Sequence, residues 1–197
     1  MHEIIAHIKN LDRTMPTATE QTVNEYLCAD GKAQIDINLY DGAELFNPFT
    51  FGKQRDLSND IYELIDTKLY TIPLKYPIRL CFHGNIPDPK TQQIVRDTIK
   101  KHYMYAFSDK KEDLRINLLK TVGMAVFGII LLTIYFALEI TTSKPVFMEF
   151  LSIAGWVAAW EAVDSWVLQR KVLRMDYLNA GQAVLSEVAF TDKDASC

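Results

Sequence analysis

The sequence predicts an α+β cytosolic domain followed by an antiparallel hairpin of two transmembrane helices, assembled as an oligomer. The first 115 residues hold short apolar–polar alternations and amphipathic helical patterns. Two apolar stretches of about 23 residues each follow, Leu118–Ile140 and Val146–Leu168, with only a tight turn between them. The second stretch carries three acids that must find partners. The expected boundaries are 1–115 for the cytosolic domain, 116–168 for the hairpin (spans 118–140 and 146–168), and 169–197 for a cytosolic C-terminal helix and tail.

Within the first domain, Lys32–Tyr40 (KAQIDINLY) alternates Ile35, Ile37 and Leu39 with Asp36 and Asn38, the period of a half-buried strand. Ile78–His83 (IRLCFH) repeats the pattern with Ile78, Leu80 and Phe82, and Glu3–Ile8 is a candidate third strand. Between them, Ser58 is placed to cap a helix over Asn59–Leu69 whose apolar face is Ile61, Leu64, Ile65 and Leu69. Ile72–Pro77 ends it. Asp88 as N-cap and Pro89 at the first helical position open a further helix, with Ile94, Val95, Thr98, Ile99 and Met104 on its buried face. That helix is expected to run by way of Ser108–Leu114 into the first membrane span. Gln169–Leu178 reads as a helical extension and Ala183–Phe190 as a closing strand that returns the C-terminus to the domain.

At 1.5 Å per residue each apolar stretch reaches about 34 Å, enough to cross a hydrocarbon core of about 30 Å. Lys110, Lys111, Arg115 and Lys120 flank the start of the first span and Arg170, Lys171 and Arg174 follow the second, against Lys144 in the turn. The positive-inside rule then puts both termini in the cytoplasm. The N-terminus shows no basic, apolar and small-residue succession of a signal peptide. Cys28, Cys81 and Cys197 are widely spaced, without a CxxC pair, and read as reduced cytosolic thiols.

The second span contains Glu149, Glu161 and Asp164. A carboxylate near the bilayer centre costs about 3 kcal/mol on insertion scales, so such residues face a bundle interior or an aqueous path. At about 100° per residue the three share an arc of about 120°. Ser152, Gly155, Ala159 and Ala162 form a separate track of small residues suited to close helix packing. No cation within the second span neutralises the acids, and two helices cannot enclose a pore. The expectation is therefore self-association, with Glu161 and Asp164, joined by Glu149 nearer the outer surface, lining a path that favours cations. The bland alternative is an anchor whose acids hydrogen-bond between helices. Trp156, Trp160 and Trp166 suit an interfacial belt.

A net charge of −4 gives no general basic surface for duplex binding. No GxGxxG, GxxxxGK[ST], HExxH, GxSxG or HxH motif is present, so no enzyme activity, cofactor or metal is expected. Two groups are candidate ligand contacts. The loop Phe46–Arg55 (FNPFTFGKQR) offers Phe49 and Phe51 for stacking with Lys53 and Arg55 for phosphate, a composition suited to a nucleotide or a single strand, or to an ordinary aromatic-anchored loop with solvated cations. Arg96, Lys100 and Lys101, beside His102, form a basic group that anionic lipid would also attract.

LSIAGWVAAWEAVDSW with its basic flank, together with RDLSNDIYELID and IPLKYPIRLCFHG upstream, resembles a group of uncharacterised bacterial two-helix membrane proteins across most of the chain. The arrangement of a sensing domain joined to acidic transmembrane helices is similar to channel effectors of bacterial anti-phage defence, including the Hailong type. That resemblance implies a homo-oligomeric, ligand-gated channel, held shut by a ligand such as an oligodeoxynucleotide and opened on infection to depolarise the cell. Beside it stands a reading of another class, a membrane-anchored adaptor or scaffold with no pore.

Overall fold

Three strands supply the frame. In the computed structural model, which describes residues 23–40, 44–139 and 145–191, β1 (Ala33–Leu39) and β2 (Ile78–Gly84) pair in parallel, Ala33 opposite Ile78 and Leu39 opposite Gly84. β3 (Glu187–Thr191) joins the other side of β2, also in parallel, giving the order β1-β2-β3. Parallel neighbours need crossovers, and α1 (Asn59–Thr71) lies between β1 and β2 in the chain. The sheet-bearing unit mixes helix and strand, as expected, and does so around a small parallel sheet. The candidate strand Glu3–Ile8 lies outside the described residues.

From β2 the chain enters α2 (Pro89–Glu139), a single helix of 51 residues that runs from the amphipathic segment into the apolar one, as the pattern predicts. α3 (Pro145–Asp164) passes through a π-helical segment, Ser165–Gln169, into α4 (Arg170–Val184), which delivers the chain to β3. The chain divides into two compact units, Met1–Tyr105 with Asn179–Cys197, and Ala106–Leu178. The second unit thus begins before residue 116, and the C-terminal strand belongs to the first unit.

Strand alternation gives the sheet one apolar face. Ala33, Ile35, Ile37 and Leu39 of β1 and Ile78, Leu80 and Phe82 of β2 are all buried. Leu57, Ile61, Ile65, Leu69, Val95 and Ile99 complete the core. Phe190 of β3 stacks on Phe82 with ring centroids 5.2 Å apart. The α1 face is rotated from expectation: Tyr62 is buried and Leu64 is 37% exposed, because the Tyr62 hydroxyl is drawn inward to donate to Asp56. On α2 likewise Tyr103 replaces Met104 in the core, its hydroxyl donating to Asp66 Oδ1 at 2.9 Å. Burial and the Asp66 carboxylate both push the Tyr103 phenol upward, so it stays a donor.

The caps follow local chemistry. Asp88 accepts from the backbone N–H of Lys90 and of Thr91, both at 3.2 Å, and from the Thr91 hydroxyl, fixing the start of α2. Ser58 precedes α1 without a side-chain capping bond; its carbonyl accepts from Ile61 N–H. On the opposite, polar side of the sheet, Lys32 bonds Glu187 and Arg79 bonds Asp30, each at 2.6 Å. The Lys32 backbone N–H and then the Arg79 guanidinium hold the Asp30 carboxyl below its ordinary range. Among the cysteines, Cys81 is a buried free thiol, whereas Cys28 is disulfide-bonded, which corrects the reading of all three as thiols.

The rotated α1 face gives a direct prediction. Ile65→Ala, at a fully buried position, lowers unfolding stability by about 2–5 kcal/mol, whereas Leu64→Ala lowers it by less than about 1 kcal/mol. Urea titration of both variants followed by near-ultraviolet circular dichroism measures the contrast.

Candidate functional site

The unit Ala106–Leu178 is built inside out. Ile116, Leu119, Val126, Phe127, Ile130 and Phe136 of α2 and Phe147, Phe150, Trp156, Trp160 and Val163 of α3 are exposed, while Asn117, Thr121 and Ser165 are buried. Only 11% of the apolar window of α2 and 28% of that of the α3–α4 segment are buried, which the core helices of a water-soluble protein would reverse. Both helices are long and apolar enough to cross a membrane.

Small residues let the two helices meet. A Cβ placed on Gly155 would lie 2.8 Å from Leu132 Cγ, and one placed on Gly128 would lie 3.1 Å from the Ala159 backbone nitrogen. Neither position has room for a side chain larger than hydrogen without displacing a neighbour. Of the four residues expected in the packing track, Gly155 and Ala162 are buried and Ser152 and Ala159 half-buried; Ala158 and Met148 join them in the buried set.

Toward the basic end the contact becomes polar. Lys120 Nζ of α2 lies 2.7 Å from Glu161 Oε1 of α3. No cation lies within the second span, as expected, but one is supplied by the first span, about three turns along α2 from Leu132, the residue that meets Gly155. One turn earlier, Asn117 Nδ2 donates to the Ser165 carbonyl at 3.2 Å, and the Thr121 hydroxyl donates to the Asn117 carbonyl at 2.8 Å. The Ser165 carbonyl also accepts from Arg170 N–H, the i to i+5 bond that defines the π segment. The wider turn thus leaves a carbonyl available to the Asn117 amide. The buried Ser165 hydroxyl has no hydrogen-bond partner among the described residues. Asp164 accepts from Gln169 Nε2 at 3.1 Å, and Glu149 is exposed near the far end of α3. The three acids therefore differ: one is ion-paired, one amide-bonded, one free of any contact described here.

The ion pair also fixes where Glu161 lies along α2. Lys120 stands at the edge of the apolar stretch of α2, and its partner must lie at the same level. From Thr121 to Leu138 the apolar part of α2 rises about 27 Å, and the ion pair ties Glu161 to the polar end of that run. Beside the pair runs an apolar groove of about 430 Å³, lined by Ala125, Ile129, Leu132, Val163 and Trp166 among others. Trp166 also carries the Arg170 guanidinium 4.2 Å above its ring.

In the other unit, Phe49 and Phe51 are 91% and 86% exposed, on a loop folded around Asn47, whose side chain accepts from Phe49 N–H. Arg55 is occupied: its guanidinium stacks 4.1 Å over Phe46. Lys53 lies in the short 3-10 turn Gly52–Gln54. Arg96 serves β3, donating to the Val188 carbonyl at 3.2 Å and lying 5.2 Å over Phe190, while Lys100 and Lys101 are exposed. Of the basic candidates, then, Arg55 and Arg96 hold the fold and the two lysines stay available to a ligand.

Sequence reasoning missed Asn117, Thr121 and Ser165. A signal was present: Asn117 and Thr121 stand four apart in an apolar run, which places both on one helix face.

The close approach at Gly155 is testable. Gly155→Leu forces Leu132 aside and is expected to separate the helices, lowering the thermal midpoint of the detergent-purified chain by several degrees, whereas Ala154→Leu on a neighbouring face leaves it within about two degrees. No protein-family model, curated protein or solved structure matches this chain.

Proposed function

We propose that the chain is a subunit of an oligomeric, ligand-controlled cation channel whose two apolar helices form a transmembrane hairpin. The observation that carries the reading is the polar layer of Asn117, Lys120, Thr121, Glu161 and Asp164 within a helix pair that otherwise turns apolar side chains outward. Lipid covers most of that outer surface, and further copies cover the rest, seated along the apolar groove beside Trp166. In this state Lys120 neutralises Glu161, the electrostatic signature of a closed path. Opening separates the pair and leaves Glu161 and Asp164 facing ions, whose potential favours cations.

The sheet-bearing unit is the sensor in this reading. Exposed Phe49 and Phe51 and the free cations Lys100 and Lys101 suit a nucleotide or single-stranded oligodeoxynucleotide, through stacking and phosphate contact. The channel would act at the bacterial cytoplasmic membrane with both termini cytoplasmic, in the manner of the anti-phage effectors that the sequence resembles. A second reading, a membrane-anchored adaptor with no pore, is favoured by the same ion pair: Glu161 is satisfied inside one chain and needs no other copy.

Planar-bilayer recording of the purified full chain separates the two. A channel whose acid is masked by Lys120 shows higher basal cation current in Lys120→Gln and a several-fold loss of cation-over-anion preference in Glu161→Gln. Absence of unitary currents from wild type and both variants favours the anchor.

A further inference from the structure

The polar face of the sheet gathers Asp36, Cys81 and His83, a set to which neither the channel reading nor the sequence motifs assign a role. Cys81 and His83 are two apart on β2, so both side chains leave the sheet on the side away from the core. Asp36 of β1 is the register partner of Cys81 and shares that side. One donor atom from each of the three lies within 4.8 Å of the other two. His83 Nε2 is 2.7 Å from Asp36 Oδ1.

We propose that these three residues bind a zinc ion. Thiolate, imidazole and carboxylate are the donors that Zn²⁺ takes, at about 2.3, 2.0 and 2.1 Å, which puts neighbouring donors about 3.3–3.6 Å apart around a tetrahedron. The present separations, 2.7 Å between His83 Nε2 and Asp36 Oδ1 and no more than 4.8 Å within the set, bracket that range. The most exposed of the three, Asp36, has the freedom to make them, with 63% of its side chain accessible. The less mobile donors, buried Cys81 and half-buried His83, stand on one central strand bonded on both sides.

The surroundings orient the donors. Gln34 Nε2 donates to Asp36 Oδ1 at 2.8 Å, and Thr191 Oγ1 lies 3.2 Å from Cys81 Sγ, where its hydroxyl can donate to a thiolate. Binding ionises the Cys81 thiol, whose proton goes to solvent, and takes His83 through an Nε2 lone pair, any proton on that nitrogen being displaced to Nδ1 or to solvent. Three protein donors leave the fourth tetrahedral position to water or an external ligand. The site does not depend on the channel reading, and a pore-free anchor could carry it equally well.

Cobalt(II) titration of the full chain in detergent under reducing conditions tests the proposal, because tetrahedral cobalt bound to thiolate shows charge-transfer and strong visible bands. The expected result is one cobalt per chain, displaced by one equivalent of zinc, with bands retained in Cys28→Ser/Cys197→Ser and abolished in Cys81→Ser. Asp36→Asn, at an exposed position that folding tolerates, weakens binding by more than about tenfold. A spectrum lacking thiolate bands overturns the site, as does metal binding unchanged in Asp36→Asn and His83→Gln, which would mark adventitious surface binding.

Discussion

The pairing of β3 with β2 constrains everything between them. β2 ends at Gly84 and β3 begins at Glu187, and the intervening chain holds both apolar helices. Because the strands lie side by side, with Phe190 stacked on Phe82 and Arg96 bonded to the Val188 carbonyl, the excursion must leave and return to the same unit. A segment that begins and ends on one side of a membrane crosses it an even number of times. Two is the smallest such number, and among the described residues two helices between the strands are long and apolar enough to cross. A hairpin of two spans, the expectation drawn from the cation-rich flanks, would meet that constraint.

Inside the helix pair, a second constraint acts on charge. An acid at the edge of an apolar layer is tolerated when a cation stands at the same height, and Lys120 meets that need for Glu161. In water such a pair contributes about 1 kcal/mol or less, but beside lipid the loss of one partner strands the other in a poor solvent. The pair is thus more consequential as a constraint than as a source of stability. It fixes the relative slide of the helices together with the Gly128 and Gly155 contacts, since a shift of one turn would bring Glu161 against apolar residues. It also weakens the inference from acid to oligomer, because one copy already satisfies the acid. What remains in favour of assembly is the exposed apolar groove and the buried, unpartnered Ser165 hydroxyl beside a π segment, a local geometry often associated with function.

Local periodicity made β1, β2, the start of α1 and the long apolar runs legible in the sequence, because each follows from alternation over a few residues. The last helix, by contrast, runs to Val184, past the expected Leu178 and into the expected strand from Ala183, and β3 starts only at Glu187. Where β-period and helix period were read correctly, errors came from side chains with two natures. Tyr62 and Tyr103 were passed over for Leu64 and Met104, since hydropathy ranks them lower; their hydroxyls find Asp56 and Asp66, and that makes burial acceptable. Parallel strand direction was not legible, because alternation is the same for either direction and only the crossovers decide. The Lys120–Glu161 pair was also hidden, for its members are far apart in sequence and the helices' mutual slide is set by glycines that a pattern of hydropathy does not weigh. The same blindness applied to the ligand candidates: nothing local announces that Arg55 will be stacked on Phe46 and Arg96 committed to β3.

The polar sheet face shows how such hidden groupings arise. A strand buried on both sides reads as an apolar run, but β1 and β2 alternate, so one face must tolerate polar side chains. Gln34 and Cys81 are nevertheless buried there, at 6% and 3% exposure. A buried amide and a buried thiol on a polar face are costly unless their partners are ordered, and the order observed is a chain of contacts, Gln34 to Asp36, Asp36 to His83, and Cys81 to Thr191 across all three strands. Solvation alone would not require these residues to converge: on an ordinary wet face their side chains would spread toward water, and the histidine would be as well served by any neighbour. Convergence of a thiol, an imidazole and a carboxylate on one point, each held by the pleat of a parallel ladder, is the arrangement that a soft divalent ion both explains and would stabilise.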